Sequence, residues 1–106
     1  MNRVVIQYRV KPEHAERNAE LIRGVYEELE RTQPDGLRYY SLRLADGVTF
    51  IHISEESDEG QSPLATLAST ERFREGIAER CAEPPTRQET SEAWSYGSAD
   101  SSSGAR

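Results

Sequence analysis

His52 is the residue of this chain best equipped for chemistry. It stands in the run Phe50-Ile51-His52-Ile53, and imidazole is the side chain whose ordinary pKa lies near neutrality. Facing a cavity, it becomes the candidate catalytic residue, a general base toward an acidic C–H or a phenol. The plainer alternative is a strand histidine satisfied by a neighbouring hydroxyl or carbonyl. Arg43 and Arg9 can grip an anionic group by bidentate contact, or simply pair with some of the 19 acidic residues. Tyr39 and Tyr40 are consecutive, so in a strand they point to opposite faces: one toward a core, the other toward a cavity. Trp94 suits a cavity wall or an interface anchor, and aromatic enrichment at interfaces favours the second. With Gln7 and Phe50, the residues Tyr39, Arg43, His52 and Trp94 form the expected ligand-pocket set.

Other chemistries lack their residues. The acidic run Glu55, Glu56, Asp58, Glu59 has neither the spacing nor the closing Glu of a calcium loop and reads as a solvated loop from Glu55 to Gln61. The sequence contains no Gly-rich phosphate loop, no Cys/His cluster and no nucleophile elbow, so neither a metal nor another cofactor is expected. Cys81 continues an apolar helical stripe and reads as an inert buried thiol. His14 falls on a first helical turn and is expected in solvent.

The candidates work only if the chain brings them together. Arg3 to Val10 alternates Val4, Ile6, Tyr8 and Val10 with Val5, Gln7 and Arg9, the period of a strand, and Lys11-Pro12-Glu13 ends it. From Glu13 to about Thr32, Ala15, Ala19, Ile22, Tyr26 and Leu29 recur at helical spacing. Backbone ordering costs about 1–2 kcal/mol per residue, so this helix must lie on a sheet. Gln33-Pro34-Asp35-Gly36 stops it. Leu37 to Ala45 and Val48 to Ser54 read as a hairpin around Asp46-Gly47, a type I′ turn signal. After a break at Ser69-Thr70, Phe73, Ile77 and Cys81 predict a second helix from about Thr70 to Ala82, closed by Pro84-Pro85. Thr86 to Tyr96 is left as the last strand.

The order β, α, β, β, α, β is the ferredoxin-like pattern, an α+β fold. It implies a four-stranded antiparallel sheet with both helices on one face. One domain is expected over residues 1–96, with the low-complexity stretch 97–106 as a disordered tail. The other sheet face would carry Val5, Gln7, Arg9; Leu37, Tyr39, Ser41, Arg43; and Val48, Phe50, His52, with Trp94 or Ala93 from the last strand. So much exposed apolar area calls for a second copy packed on it by two-fold symmetry, enclosing the ligand chamber between two sheets.

Partners are bounded by charge. The net charge of −6 and pI near 4.9 oppose nucleic acid and anionic membranes. No apolar run approaches the roughly 20 residues of a spanning helix. Met1-Asn2-Arg3-Val4 lacks an apolar signal region, and Cys81 alone forms no intrachain disulfide. A cytoplasmic homodimer is the expectation.

Three stretches carry a resemblance: Val5 to Glu13 (VIQYRVKPE), Gly36 to Tyr40 (GLRYY) and Asp46 to Ile53 (DGVTFIHI), with Phe73 onward in the second helix. Over about residues 3–96 the chain resembles the antibiotic-biosynthesis-monooxygenase-like family, in the dimeric α+β barrel superfamily. The resemblance implies the same fold and a homodimer. It implies an activity among those of the family: cofactor-free oxygenation of small aromatic or polyketide-like molecules, haem degradation, isomerisation or decarboxylation. Haem-degrading members use an Asn on the first strand, a Trp in the second half and a His on the second helix. This chain has Gln7 on that strand and only His14 and His52 elsewhere, which argues against haem. Quinone-forming members use Asn, Trp, Tyr and Arg around the cavity. Trp94, Tyr39 and Arg43 are of the right types, and none is carried over as catalytic. Two readings follow: a cofactor-independent oxygenase or related enzyme on a small aromatic molecule, or a homodimer that binds a small molecule or is purely structural.

Overall fold

The computed structural model describes residues 2–56 and 62–97. Four strands, β1 (Asn2–Val10), β2 (Leu37–Arg43), β3 (Thr49–Glu56) and β4 (Cys81–Glu89), form one antiparallel sheet in the order β2-β3-β1-β4. Helix α1 (Ala15–Thr32) connects β1 to β2, and the short helices α2 (Ala68–Arg74) and α3 (Ile77–Arg80) connect β3 to β4. The helices pack on one sheet face, as the ferredoxin-like pattern requires. No described helix is long and apolar enough to cross a membrane.

Local chemistry sets most boundaries. Pro12 opens a single 3-10 turn before α1, where its missing N–H costs nothing. Gln33 closes α1 in the left-handed conformation, φ 46°, its N–H donating to the Leu29 carbonyl at 2.8 Å. The side facing the sheet is Ala15, Asn18, Ala19 and Val25, all buried, with Ile22 packed against the core made by Tyr8, Val10, Ala15, Phe50 and Cys81.

The β2–β3 hairpin forms with a different turn from the one expected. Only Gly47 has positive φ, 79°, so the turn is not type I′. Its N–H donates to the Leu44 carbonyl at 2.9 Å. The Asp46 carboxylate accepts from the Val48 and Thr49 N–H groups and the Thr49 hydroxyl, at 2.9, 2.9 and 2.6 Å. That side-chain cap supports the longer connection in place of a two-residue turn.

The second half departs further. The helix expected from Thr70 to Ala82 is cut at Gly76, whose φ of 74° suits glycine, and α3 is a single turn. Cys81 starts β4 instead of continuing a helical stripe. Pro84 and Pro85 do not end a helix; they sit in β4, an edge strand whose register against β1 shifts between Gln7 and Val10. Edges and bulges are where a strand tolerates proline. The last strand is therefore Cys81–Glu89, not Thr86 to Tyr96.

Of the expected acidic loop, Glu55 and Glu56 belong to β3, and residues 57–61 lie outside the described residues. Glu55 is buried between Arg3 and Arg38, 2.7 and 3.6 Å from their guanidinium nitrogens. The tail expected to be disordered lies outside the described residues from 98 on.

Candidate functional site

Register decides which residues share the site. His52 pairs with Ile6, Phe50 with Tyr8 and Ser54 with Val4 across β1 and β3. Directly opposed residues point to the same face, so Phe50 and His52 join Val4, Ile6 and Tyr8 under the helices. Through β3, Tyr39, Ser41 and Arg43 of β2 follow them. This corrects the expected open face. The grouping of Tyr39, Ser41, Arg43, Phe50 and His52 stands, but its position relative to β1 is inverted. Gln7 and Arg9 lie on the opposite, uncovered face, with Ile51, Ile53, Tyr40 and Leu42. A one-residue change of pairing transfers a whole strand to the other face, and alternation alone leaves that choice open.

The space beneath the helices is a cavity of about 370 Å³, within the roughly 300–1,000 Å³ of small-molecule pockets. Its apolar wall includes Val4, Ile6, Val25, Phe73 and Ile77. Tyr8, Tyr39 and His52 face it from the sheet, and Arg74 of α2, Arg87 of β4 and Glu56 of β3 also line it. The cavity therefore lies within one chain, between sheet and helices.

Behind its polar wall runs a continuous hydrogen-bonded chain. The Arg80 Nε–H donates to Asn18 Oδ1 at 3.0 Å, and Asn18 Nδ2 donates to the Tyr8 hydroxyl at 2.9 Å. Tyr8 Oη lies 2.8 Å from His52 Nε2. On the other side of the ring, His52 Nδ1 lies 2.7 Å from Ser41 Oγ and 3.2 Å from Tyr39 Oη. Ser41 in turn meets the Tyr26 hydroxyl at 2.9 Å. The rings stack as well: Phe50 on Tyr8 at 5.7 Å, Tyr8 on His52 at 5.4 Å, His52 by Tyr39 at 5.9 Å and Tyr39 on Tyr26 at 5.3 Å. Phe73 meets His52 edge-on at 5.6 Å.

Burial tunes these groups. Desolvation holds the His52 imidazole down to about 4, so it is neutral at physiological pH. It raises the phenols of Tyr8 and Tyr39 and pushes Tyr26 up to about 12. Arg80 is buried without a carboxylate partner among the described residues. Its other nitrogens donate to the Phe73 and Glu75 carbonyls at 2.6 and 2.9 Å, at the C-terminal end of α2 where a cation is favoured. Burial also raises the Cys81 thiol, in keeping with an inert role. Thr70 lines the cavity, and its hydroxyl is the one buried side-chain polar atom without a partner among the described residues.

Of the expected pocket residues, the structure brings Tyr39 and His52 to the cavity. Phe50 is in the core just behind Tyr8. Arg43 pairs with Glu16 at 3.0 Å and spans the Phe50 ring at 5.6 Å, outside the cavity lining. Gln7 faces away, and Arg9 pairs with Glu83 at 3.1 Å. Trp94 follows β4 and is 84% exposed. Asn18 and Arg80 were not legible as site residues from type alone. The available signal was position: Asn18 interrupts the centre of the apolar stripe between Ala15 and Val25, and a buried amide demands partners. Among the described residues no group of acidic, His or Cys side chains is arranged to hold a metal ion.

No family model and no curated protein sequence matches the chain. Solved structures do. The crystal structure of an antibiotic biosynthesis monooxygenase is similar at TM-score 0.72 and 21% identity, over 88% of this chain and 99% of that one. A candidate antibiotic biosynthesis monooxygenase from Nitrosomonas europaea gives 0.73 and 21%, over 89% and 100%. A Mycobacterium tuberculosis protein gives 0.68 and 16%, over 91% and 98%. At such identities the likeness is one of fold.

Proposed function

We propose that the cavity binds a small aromatic or polyketide-like molecule, and that the chain is a cofactor-independent oxygenase or a related enzyme acting on it. The observation that carries this reading is a cavity of about 370 Å³ walled by apolar side chains, with Tyr8, Tyr39 and His52 converging on one side. An electron-rich phenolic substrate that enters as its phenolate, its proton already lost to solvent, supplies its own electrons to oxygen. The protein then has only to bind, desolvate and orient it. The names borne by similar structures lend this reading analogy and no more. Both nitrogens of His52 are engaged, so it acts through Tyr39 as a positioning residue, and Tyr39 meets the ligand.

The same closure of His52 favours a second reading, a binding protein without turnover. Oxygen uptake separates the two. Given a panel of hydroxylated naphthalenes, the enzyme consumes oxygen in proportion to substrate without added metal or flavin. Saturable binding with oxygen uptake at the background rate selects the binder, and no binding at all leaves a structural protein.

Assembly belongs to this proposal. Tyr40 and Leu42 are 43% and 47% exposed on the uncovered sheet face, next to half-buried Ile51 and Ile53. Such a face suits a second copy of the chain. A cytoplasmic homodimer fits an acidic chain with a lone, buried cysteine.

A further inference from the structure

We infer that the cavity selects ligands whose inner end carries a hydrogen-bond acceptor oxygen (carbonyl, phenolate or carboxylate), because Arg80 fixes the direction of every hydrogen bond from Asn18 to Tyr39. This rests on the cavity being a small-molecule site and adds what that site demands of its ligand.

The direction follows link by link. A guanidinium only donates, so the Asn18 oxygen must face Arg80 Nε, 3.0 Å away. The Asn18 amide nitrogen is thereby turned to Tyr8 and donates to its oxygen at 2.9 Å. Tyr8 has one hydrogen, and it goes to His52 Nε2 at 2.8 Å. A neutral imidazole accepting at Nε2 carries its proton at Nδ1. That N–H donates to Ser41 Oγ at 2.7 Å, with Tyr39 Oη beside it at 3.2 Å. Ser41 is further engaged with Tyr26 at 2.9 Å.

Tyr8 is then saturated, accepting from Asn18 and donating to His52. Tyr39 sits against a nitrogen that already bears a hydrogen, so it cannot donate there. Tyr39 lines the cavity, whereas Ser41 and Tyr26 do not; of the hydroxyls in this relay it is the one whose hydrogen can turn from Ser41 to a ligand. The guanidiniums of Arg74 and Arg87 on the same lining are donors too, against the single carboxylate of Glu56, which already accepts from the Ser62 hydroxyl at 2.9 Å. Around Tyr39 the cavity thus presents donors, while the Thr70 hydroxyl elsewhere on the lining can give or accept. A ligand with an acceptor oxygen completes the set at Tyr39, where an amine meets a donor.

The discriminating experiment uses a shape-matched pair, methyl naphthyl ketone and isopropenylnaphthalene, which differ by C=O against C=CH₂. Calorimetric titration of the full chain should show the ketone binding about tenfold tighter. Tyr39→Phe should bring the ratio to about one. Asn18→Asp should do the same without touching the ligand. A carboxylate beside Tyr8 accepts its hydrogen, so His52 must donate from Nε2, leaving Nδ1 to take the Tyr39 or Ser41 hydrogen. Nitrogen-15 NMR of His52 reads the same prediction in the unmodified protein, with Nδ1 protonated and Nε2 bare. Equal affinity for the two probes, or a proton on Nε2, overturns the inference while the site stands. Failure of both probes to bind removes the site itself, and the inference with it.

Discussion

Replacing Tyr8 by Phe deletes one oxygen from the middle of the relay and leaves the ring in place. The stacking on Phe50 and His52, at 5.7 and 5.4 Å, is preserved, so no cavity larger than the hydroxyl opens. What is lost is the partner of two buried groups, the Asn18 amide at 2.9 Å and His52 Nε2 at 2.8 Å. Each buried group left unsatisfied costs about 1–3 kcal/mol. Allowing for partial rearrangement, Tyr8→Phe should destabilise by about 2–4 kcal/mol, among the larger effects of a point mutation. For a domain near 100 residues this lowers Tm by on the order of 10–20 °C. Urea unfolding at fixed protein concentration should show an earlier midpoint with unchanged slope. Tyr40→Phe, on the uncovered face, should stay within about 0.5 kcal/mol of the parent. A loss below about 1 kcal/mol for Tyr8→Phe would refute the reasoning, since the two neighbours would not then depend on that hydroxyl.

Other outcomes are equally specific. Burial holds folded His52 down to about 4, while an unfolded imidazole titrates near 6.5; only the unfolded chain takes the proton between these values. The His52 contribution is thus complete above about pH 6.5 and declines by about 1.4 kcal/mol per pH unit toward pH 4. Urea titrations at stepped pH should show that decline, and His52→Gln should remove it. Arg43→Ala should cost less than about 1 kcal/mol and leave ligand affinity unchanged in calorimetry, because its ion pair with Glu16 is exposed and outside the cavity. Gly47→Ala forces a Cβ into φ 79° and should cost about 1 kcal/mol in the same unfolding assay. Leu42→Asp, on the proposed self-contact face, should convert a dimer to a monomer in sedimentation; an unchanged mass would place the contact elsewhere.

The order of strands and helices was readable because each rests on local signals: the alternation of Val4 to Val10, the stripe of Ala15 to Leu29, the Asp46-Gly47 connection. The second half was harder. Phe73, Ile77 and Cys81 keep helical spacing although Gly76 breaks the helix, since one glycine in a periodic run weighs little against three apolar residues. Pro84-Pro85 looked like a terminator because proline ends helices, yet an edge strand with an irregular register tolerates it. In the site, types were more legible than faces. Tyr39 and His52 were picked out for their chemistry and do line the cavity. Gln7 falls on the other face because alternation fixes which residues share a side within a strand, whereas the register between β1 and β3 is a tertiary choice. Asn18 and Arg80 are illegible in the sequence for the same reason: they are 62 residues apart, and only the packing of α1 against the chain before β4 makes them partners.

The location of the site is open to a single observation. In a methyl-resolved NMR titration with naphthoate, we expect saturable shifts at Val4, Ile6, Val25 and Ile77, which line the cavity beneath the helices. Shifts confined to Val5, Leu42, Ile51 and Ile53 would put the ligand on the uncovered sheet face instead, and would contradict a binding site between the sheet and the helices of one chain.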